Sequence, residues 1–266
     1  MIDISYEHKE YLRLLKKKKF NIHLLRIIIL LLFLTSWELA AHYKIIDDFI
    51  FCSPSILVGC AIDMISQGSL LKHLTSTVTV TIISFFFVTL FSNTAALLLW
   101  LNSGLSKVLE PYLIVLNSLP KSALAPLLIV WLGNNRTTVV VAGISVAIFG
   151  SVLTLYTSFM SVDEEKVKLI YTLGGDKKCV LFKLLIPGSM PAIINNMKVN
   201  IGLCLIGIVI GEMISSKAGL GYLIIYGTQV FKLDYVLLSI IILSMIAMLF
   251  YFIMNIAEKR IIKRFC

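Results

Sequence analysis

Apolar residues along this chain run in long blocks separated by short polar segments. Several blocks approach or exceed the roughly 20 residues that a bilayer requires of a spanning helix. Six spans are predicted, at about 27–41, 75–100, 111–132, 137–157, 190–210 and 235–256. The fold class is therefore an all-α, polytopic membrane protein with about six transmembrane helices. Glu110-Pro111 suits the start of the third span, because proline at the first helical position loses no needed N–H. Asp234 is placed to cap the sixth. The 42–74 segment carries Ser53-Pro54, a cap and first-turn pair. Ile56, Leu57, Cys60, Ile62 and Met64 follow, predicting a short amphipathic helix along the outer surface.

The first block follows a long basic arm, residues 1–26, with Ala40-Ala41 offering small residues near its end. That pattern raises a cleaved signal peptide. The length of the basic region and the presence of Trp37 and Glu38 favour an uncleaved span.

Composition agrees with a bilayer as solvent. The chain of 266 residues is 58% hydrophobic and only 15% charged, whereas soluble domains are about 25% charged. The net charge of +9 reflects topology rather than nucleic-acid binding, which is not expected. Seventeen of the 24 lysines and arginines fall in the N-terminal arm, the loop after span two, the 158–189 loop and the C-terminal tail. Lys44, Lys72, Arg136, Lys217 and Lys232 occupy the opposite loops. The positive-inside rule then puts both termini and the 158–189 loop in the cytoplasm. The five cysteines show no CxxC or Cys/His ligand spacing, and no metal or cofactor is expected.

The 158–189 loop has more pattern than a connector needs. Asp163, Glu164 and Glu165 form an acidic first turn, and Val167, Ile170 and Tyr171 share one face. Gly174-Gly175 breaks this helix, Asp176 caps a second one over 177–185, and Pro187-Gly188 is expected to end it. Two short amphipathic helices joined at glycine suit a docking element that fills a partner's groove.

Here the sequence resembles a known family. Permease subunits of ABC importers carry Glu-Ala-Ala, three residues, Gly, nine residues, then Ile-x-Leu-Pro in such a loop. In this chain Gly174 is followed by nine residues and then Leu184-Leu185-Ile186-Pro187. The Glu-Ala-Ala positions fall on Lys168-Leu169-Ile170 and do not match, although Glu164 and Glu165 lie just upstream. Further similar segments are Ser53-Pro54-Ser55, Leu119-Pro120, Ala125-Pro126-Leu127, Trp131-Leu132-Gly133, Pro187-Gly188-Ser189-Met190-Pro191, Gly211-Glu212-Met213-Ile214 and Gly219-Leu220-Gly221-Tyr222. Their order resembles the branch serving sulfonates, taurine, nitrate and similar small solutes. The resemblance implies the type I permease fold and a homodimer forming the translocation path. It also implies two separate ATPase subunits docked beneath, and an external binding protein delivering solute. Glu165, Lys168, Tyr171, Gly174, Gly175, Asp176, Leu184 and Pro187 would then be the ATPase-coupling residues. The chain has no GxxxxGK[ST] phosphate loop of its own, so no ATPase site is expected. The alternatives are the coupling component of a vitamin-type importer and a secondary transporter.

Polar groups within spans are the candidate path or gate, because a charge in the bilayer is costly. Lys121 lies between Pro120 and Pro126, which are expected to interrupt span three. It is read either as meeting an anionic solute or as binding the freed carbonyls. Lys198 either snorkels or serves the path. Asn196, Asn200, Gly207 and Gly211 form a stripe on span five, fitted to helix packing or pore lining. Glu212 reads as an interfacial carboxylate in an ion pair or as part of an outer gate.

Overall fold

The structure, a computed structural model, describes residues 6–265, and side chains from Leu14 to Ile261 except Lys16, Lys19 and His23. The charges expected at Lys9, Arg13, Lys16, Lys19, Lys263 and Arg264 therefore lie outside the described residues. The chain divides into two compact units, Met1–Asp63 and Met64–Cys266.

The first unit holds α1 (Tyr6–His42), whose apolar part Phe20–His42 is long enough to span. Next come a single turn, α2 (Asp48–Phe51), and α3 (Pro54–Ser66), which runs into the second unit. Proline opens α3 as the sequence predicts, and the Ser53 hydroxyl accepts from Ile56 N at 3.4 Å. Glu38 of α1 accepts from the N–H and hydroxyl of Ser55 at 3.1 and 2.8 Å, placing negative charge at the helix start.

The second unit is built on long apolar helices: α4 (Ser69–Leu101), α5 (Ser103–Ser118), α6 (Lys121–Leu132), α7 (Arg136–Met160), then α8 (Glu164–Thr172) and α9 (Lys177–Val180). A π-helical turn at Leu181–Leu185 leads into α10 (Ile186–Ser215), followed by α11 (Leu220–Gln229) and α12 (Leu233–Phe265). Among the described residues, five helices are long and apolar enough to cross a bilayer, or six when the bent pair α5–α6 counts as one span.

Helices α4, α7 and α10 form the core. Val80, Val88, Val139, Ala147, Cys204 and Ile208 are buried together between them. Close approach needs small residues. A Cβ on Gly207 would stand 2.8 Å from the Ala142 carbonyl oxygen, and one on Gly211 3.1 Å from the Ala142 Cβ. The stripe on span five therefore packs against α7 of the same chain. By contrast Phe86 on α4 and Met248 on α12 are 62% and 73% exposed, as lipid-facing side chains are.

Three sequence expectations are corrected. The third block is not one helix opened by Pro111. It is α5 and α6, meeting at 96°. Asn102 caps α5 by accepting from Gly104 N and Leu105 N, both at 3.1 Å, so the helix starts eight residues before Pro111. The break falls at Leu119, which is extended (φ −63°, ψ 140°) because the ring of Pro120 disfavours a helical residue before it. Pro126 stays inside α6. Secondly, Pro187-Gly188 ends no helix. Pro187 sits in the first turn of α10, and a proline there follows the wide π turn without a break. Finally, Asp234 lies inside the first turn of α12, which begins at Leu233. Its carboxylate accepts from its neighbour Tyr235 N at 3.0 Å.

Candidate functional site

The 158–189 segment folds as a helical hairpin leaving the end of α7. Asp163 accepts from Glu165 N at 2.9 Å and starts α8. The helix ends as Gly174 N donates to the Tyr171 carbonyl at 3.0 Å and Gly175 N to the Ile170 carbonyl at 2.9 Å. These paired bonds make a Schellman turn. The two glycines have different reasons to be there. Gly174 has φ +80° with open space around it, so the backbone conformation alone demands glycine. For Gly175 the demand is space, since a Cβ would stand 2.6 Å from Ile170 Cγ2.

Asp176 then caps α9 by accepting from Cys179 N at 2.8 Å. That bond holds its carboxyl below the ordinary aspartate range. Val180 and Leu185 are fully buried, and Leu184 is half-buried. Lys177 donates to the Leu101 carbonyl at the end of α4, with its ammonium 5.8 Å from the Trp100 ring centroid. On the first arm Leu169 and Tyr171 are 58% and 49% exposed, and Leu173 at the turn is 78% exposed. Glu165 and Lys168 are exposed beside them. Lys168 stands 3.9 Å from Glu164. The hairpin thus offers apolar side chains outward on a rigid turn.

Lys121, the pair Asn196 and Asn200, and Lys198 occupy three separate places. At the α5–α6 bend, Lys121 donates to the Asn117 carbonyl and reaches the Leu116 carbonyl at 3.5 Å. It binds the carbonyls that the break frees. In the core, Asn196 and Asn200 both donate to Ser151 Oγ of α7, at 2.7 and 2.8 Å. On another face of the same stretch of α10, Lys198 pairs with Glu258 of α12 and lies 5.8 Å from the Tyr251 ring centroid.

Among the described residues Glu212 is the most buried charged one, 1% exposed. Among the described residues it has no basic partner within 4 Å, which corrects the expected interfacial ion pair. The Thr77 hydroxyl faces its two oxygens at 2.9 and 3.0 Å, and Gly221 N donates to it at 2.9 Å. Thr77 Oγ1 in turn accepts from Leu220 N at 2.9 Å. A side chain on Gly219, at φ +118°, would occupy the space of the carboxylate. The knot caps α11 and ties it to α10 and α4.

Sequence reasoning found Glu212 and the Gly219–Tyr222 segment but missed Thr77, Ser151, Glu258 and His73. His73 Nδ1 accepts from Gly219 N at 3.0 Å, and its ring stacks on Tyr222 at 5.8 Å. Hydroxyls inside apolar helices give no signal when they also bond their own helix, as Thr77 does to His73 O at 3.3 Å.

Comparison with known proteins adds to this geometry. Residues 89–264 match the model for the binding-protein-dependent transport system inner membrane component. The chain is similar to the taurine transport system permease protein of Escherichia coli, 24% identical over 234 residues, covering 86% of this chain and 85% of that one. It is likewise similar to the formylaminopyrimidine transport permease protein of Halalkalibacterium halodurans. That match is 25% identical over 192 residues, 72% of this chain and 76% of the relative. Among solved structures, the fold resembles a chain of the MetNI methionine ABC transporter in inward-facing conformations. The TM-score is 0.63 at 16% identity, over 74% of this chain and 96% of that one. This chain therefore belongs to the family of binding-protein-dependent transport inner membrane components, the permease subunits of ABC importers.

Proposed function

We propose that the hairpin 158–189 is the element through which a separate ATPase drives this permease. The observation that carries this reading is the Schellman turn at Gly174-Gly175, which holds exposed Leu169, Tyr171 and Leu173 on a rigid arm. Glu165 and Lys168 rim that apolar surface, and Leu184 and Pro187 join the second arm to α10. Asp176 and Lys177 fix the arm to its own helix start and to the end of α4. A push on the hairpin therefore reaches both α4 and α10.

The full assembly in this reading has two copies of the chain, because one copy has too few spans to enclose a path. It has two ATPase subunits below and a binding protein outside. Both termini and the hairpin are cytoplasmic, as the distribution of basic residues supports. ATP is hydrolysed by the partner and not by this chain. Closure of the ATPase dimer carries the hairpins with it, and the spans rock between two states biased at a distance. Lys121, at the bend of α5 and α6, is assigned to the path. Asn196, Lys198, Asn200 and Glu212 tie α10 to α7, α12, α4 and α11, and so govern how its walls move. The solute is a small polar one of the sulfonate or vitamin-precursor kind, a class supported by the names of the relatives.

The test substitutes the turn. Gly174→Val forces a β-branched residue into φ +80°, at a cost of about 1–3 kcal/mol, while touching no span. Insertion and dimerisation should persist, whereas ATPase pull-down and solute uptake from the same membranes should fall. Lys168→Glu should be tolerated by comparison. Normal pull-down and uptake by Gly174→Val would refute the coupling role.

A further inference from the structure

The ends of α4 and α7 nearest Ser69 and Arg136 leave a cleft of about 510 Å³ between them. Lys72 and Arg136 stand on its rim, Thr75 and Thr79 lie below them, and Ile83 and Phe87 line its wall. On α4 these residues follow at three- and four-residue steps, so they share one face. From Lys72 to Phe87 that face covers about 22 Å along the axis. It passes from charge through hydroxyls to hydrocarbon, in the direction that leads from the membrane surface inward. Neither cation has a carboxylate within 4 Å among the described residues. Helix α7 begins at Arg136, so the positive end of its dipole adds to the rim. Ile83 and Phe87 remain 39% and 36% exposed, open to an apolar neighbour.

A soluble anion would satisfy the rim and leave the apolar wall unused. A zwitterionic lipid would cover the wall but bring its own ammonium beside the two cations, leaving a net positive charge at the rim uncompensated. We propose that this cleft is a binding site for an anionic phospholipid, its phosphate held between Lys72 and Arg136 and one acyl chain laid on Ile83 and Phe87. The inference needs only that α4 and α7 span a membrane. It does not depend on the coupling role of the hairpin.

The test uses the full chain in detergent micelles and native mass spectrometry with added phosphatidylglycerol or phosphatidylethanolamine. Wild type should retain phosphatidylglycerol in preference. Lys72→Gln and Arg136→Gln should each weaken that retention roughly fivefold, the effect of one basic group at a membrane surface, and leave phosphatidylethanolamine unchanged. Ile83→Ser should also lower phosphatidylglycerol retention, and Lys232→Gln, away from the cleft, should not. Equal retention of the two lipids by wild type would overturn the proposal, as would unchanged retention in both rim variants. Displacement of the lipid by equimolar glycerol 3-phosphate would overturn it too, identifying a site for a soluble anion.

Discussion

Removing the Glu212 carboxylate should unfasten α11 while leaving the hairpin intact. In Glu212→Ala, Gly221 N–H loses its acceptor at 2.9 Å. The Thr77 hydroxyl loses both carboxylate oxygens and falls back on the His73 carbonyl, 3.3 Å away. A buried donor left unsatisfied costs about 1–3 kcal/mol. One full orphan and one weakened bond give about 2–4 kcal/mol in total. For a chain of this size that corresponds to a melting point lower by about 5–15 °C. Glu212→Gln behaves differently. Its amide oxygen can accept from Gly221 N–H and its NH2 can donate to Thr77 Oγ1, so every group in the knot keeps a partner. The expected loss is under about 1 kcal/mol. Fluorescence-detected thermal unfolding of the solubilised chain, run on wild type, Glu212→Ala, Glu212→Gln and Thr77→Val, reads the ranking. Thr77→Val should rank with Ala rather than with Gln, because it orphans Leu220 N–H and leaves Glu212 Oε1 without a donor. If Gln is as damaging as Ala, charge rather than hydrogen-bond count governs the site. If Ala melts like wild type, the knot does not hold α11 at all.

Gly207→Leu should destabilise the single protomer, by about 1–3 kcal/mol of overpacking, since the new side chain meets Ala142 and Val146 of its own chain. Limited proteolysis of dilute, uncrosslinked protein reads this, and a loss seen only in the dimer would refute it. Lys198→Met leaves Glu258 without its cation, and breaking a fully buried pair costs about 3–5 kcal/mol. The loss here is smaller, because the Glu258 side chain is 23% exposed, and Lys198→Met combined with Glu258→Gln should recover most of it in a double-mutant cycle. At the hairpin, Asp176→Ala should loosen α9 and lower ATPase pull-down, while Asp176→Asn, also a good cap, should not. Because the Asp176 carboxyl titrates below its ordinary value, the cap is fully present above pH 3.8 and is lost as pH falls through the lower folded value. A hairpin signal unchanged in acid would contradict that.

The legible parts of this protein were those fixed by local chemistry. Blocks of apolar residues announce spans because a backbone in lipid must satisfy its own hydrogen bonds within a helix. Gly174-Gly175 followed by Asp176 announces a helix stop and a new start, because αL geometry and a side-chain cap involve only near neighbours. What tertiary structure alone decided was the partner of each intramembrane polar group. Nothing adjacent to Glu212 points to Thr77, 135 residues away, and nothing beside Lys198 points to Glu258, 60 residues away. The small-residue stripe was visible, but an i, i+4 pattern says only that something approaches closely. Here the approaching element is α7 of the same chain, because Ala142 and Gly143 offer it an equally low surface. Prolines were misread for a related reason. Pro120 bends its span and Pro126 and Pro187 do not. Each ring disfavours a helical residue before it and withholds one N–H from the turn behind it, and whether the chain turns there depends on what can take up the freed carbonyls: at the bend, the ammonium of Lys121.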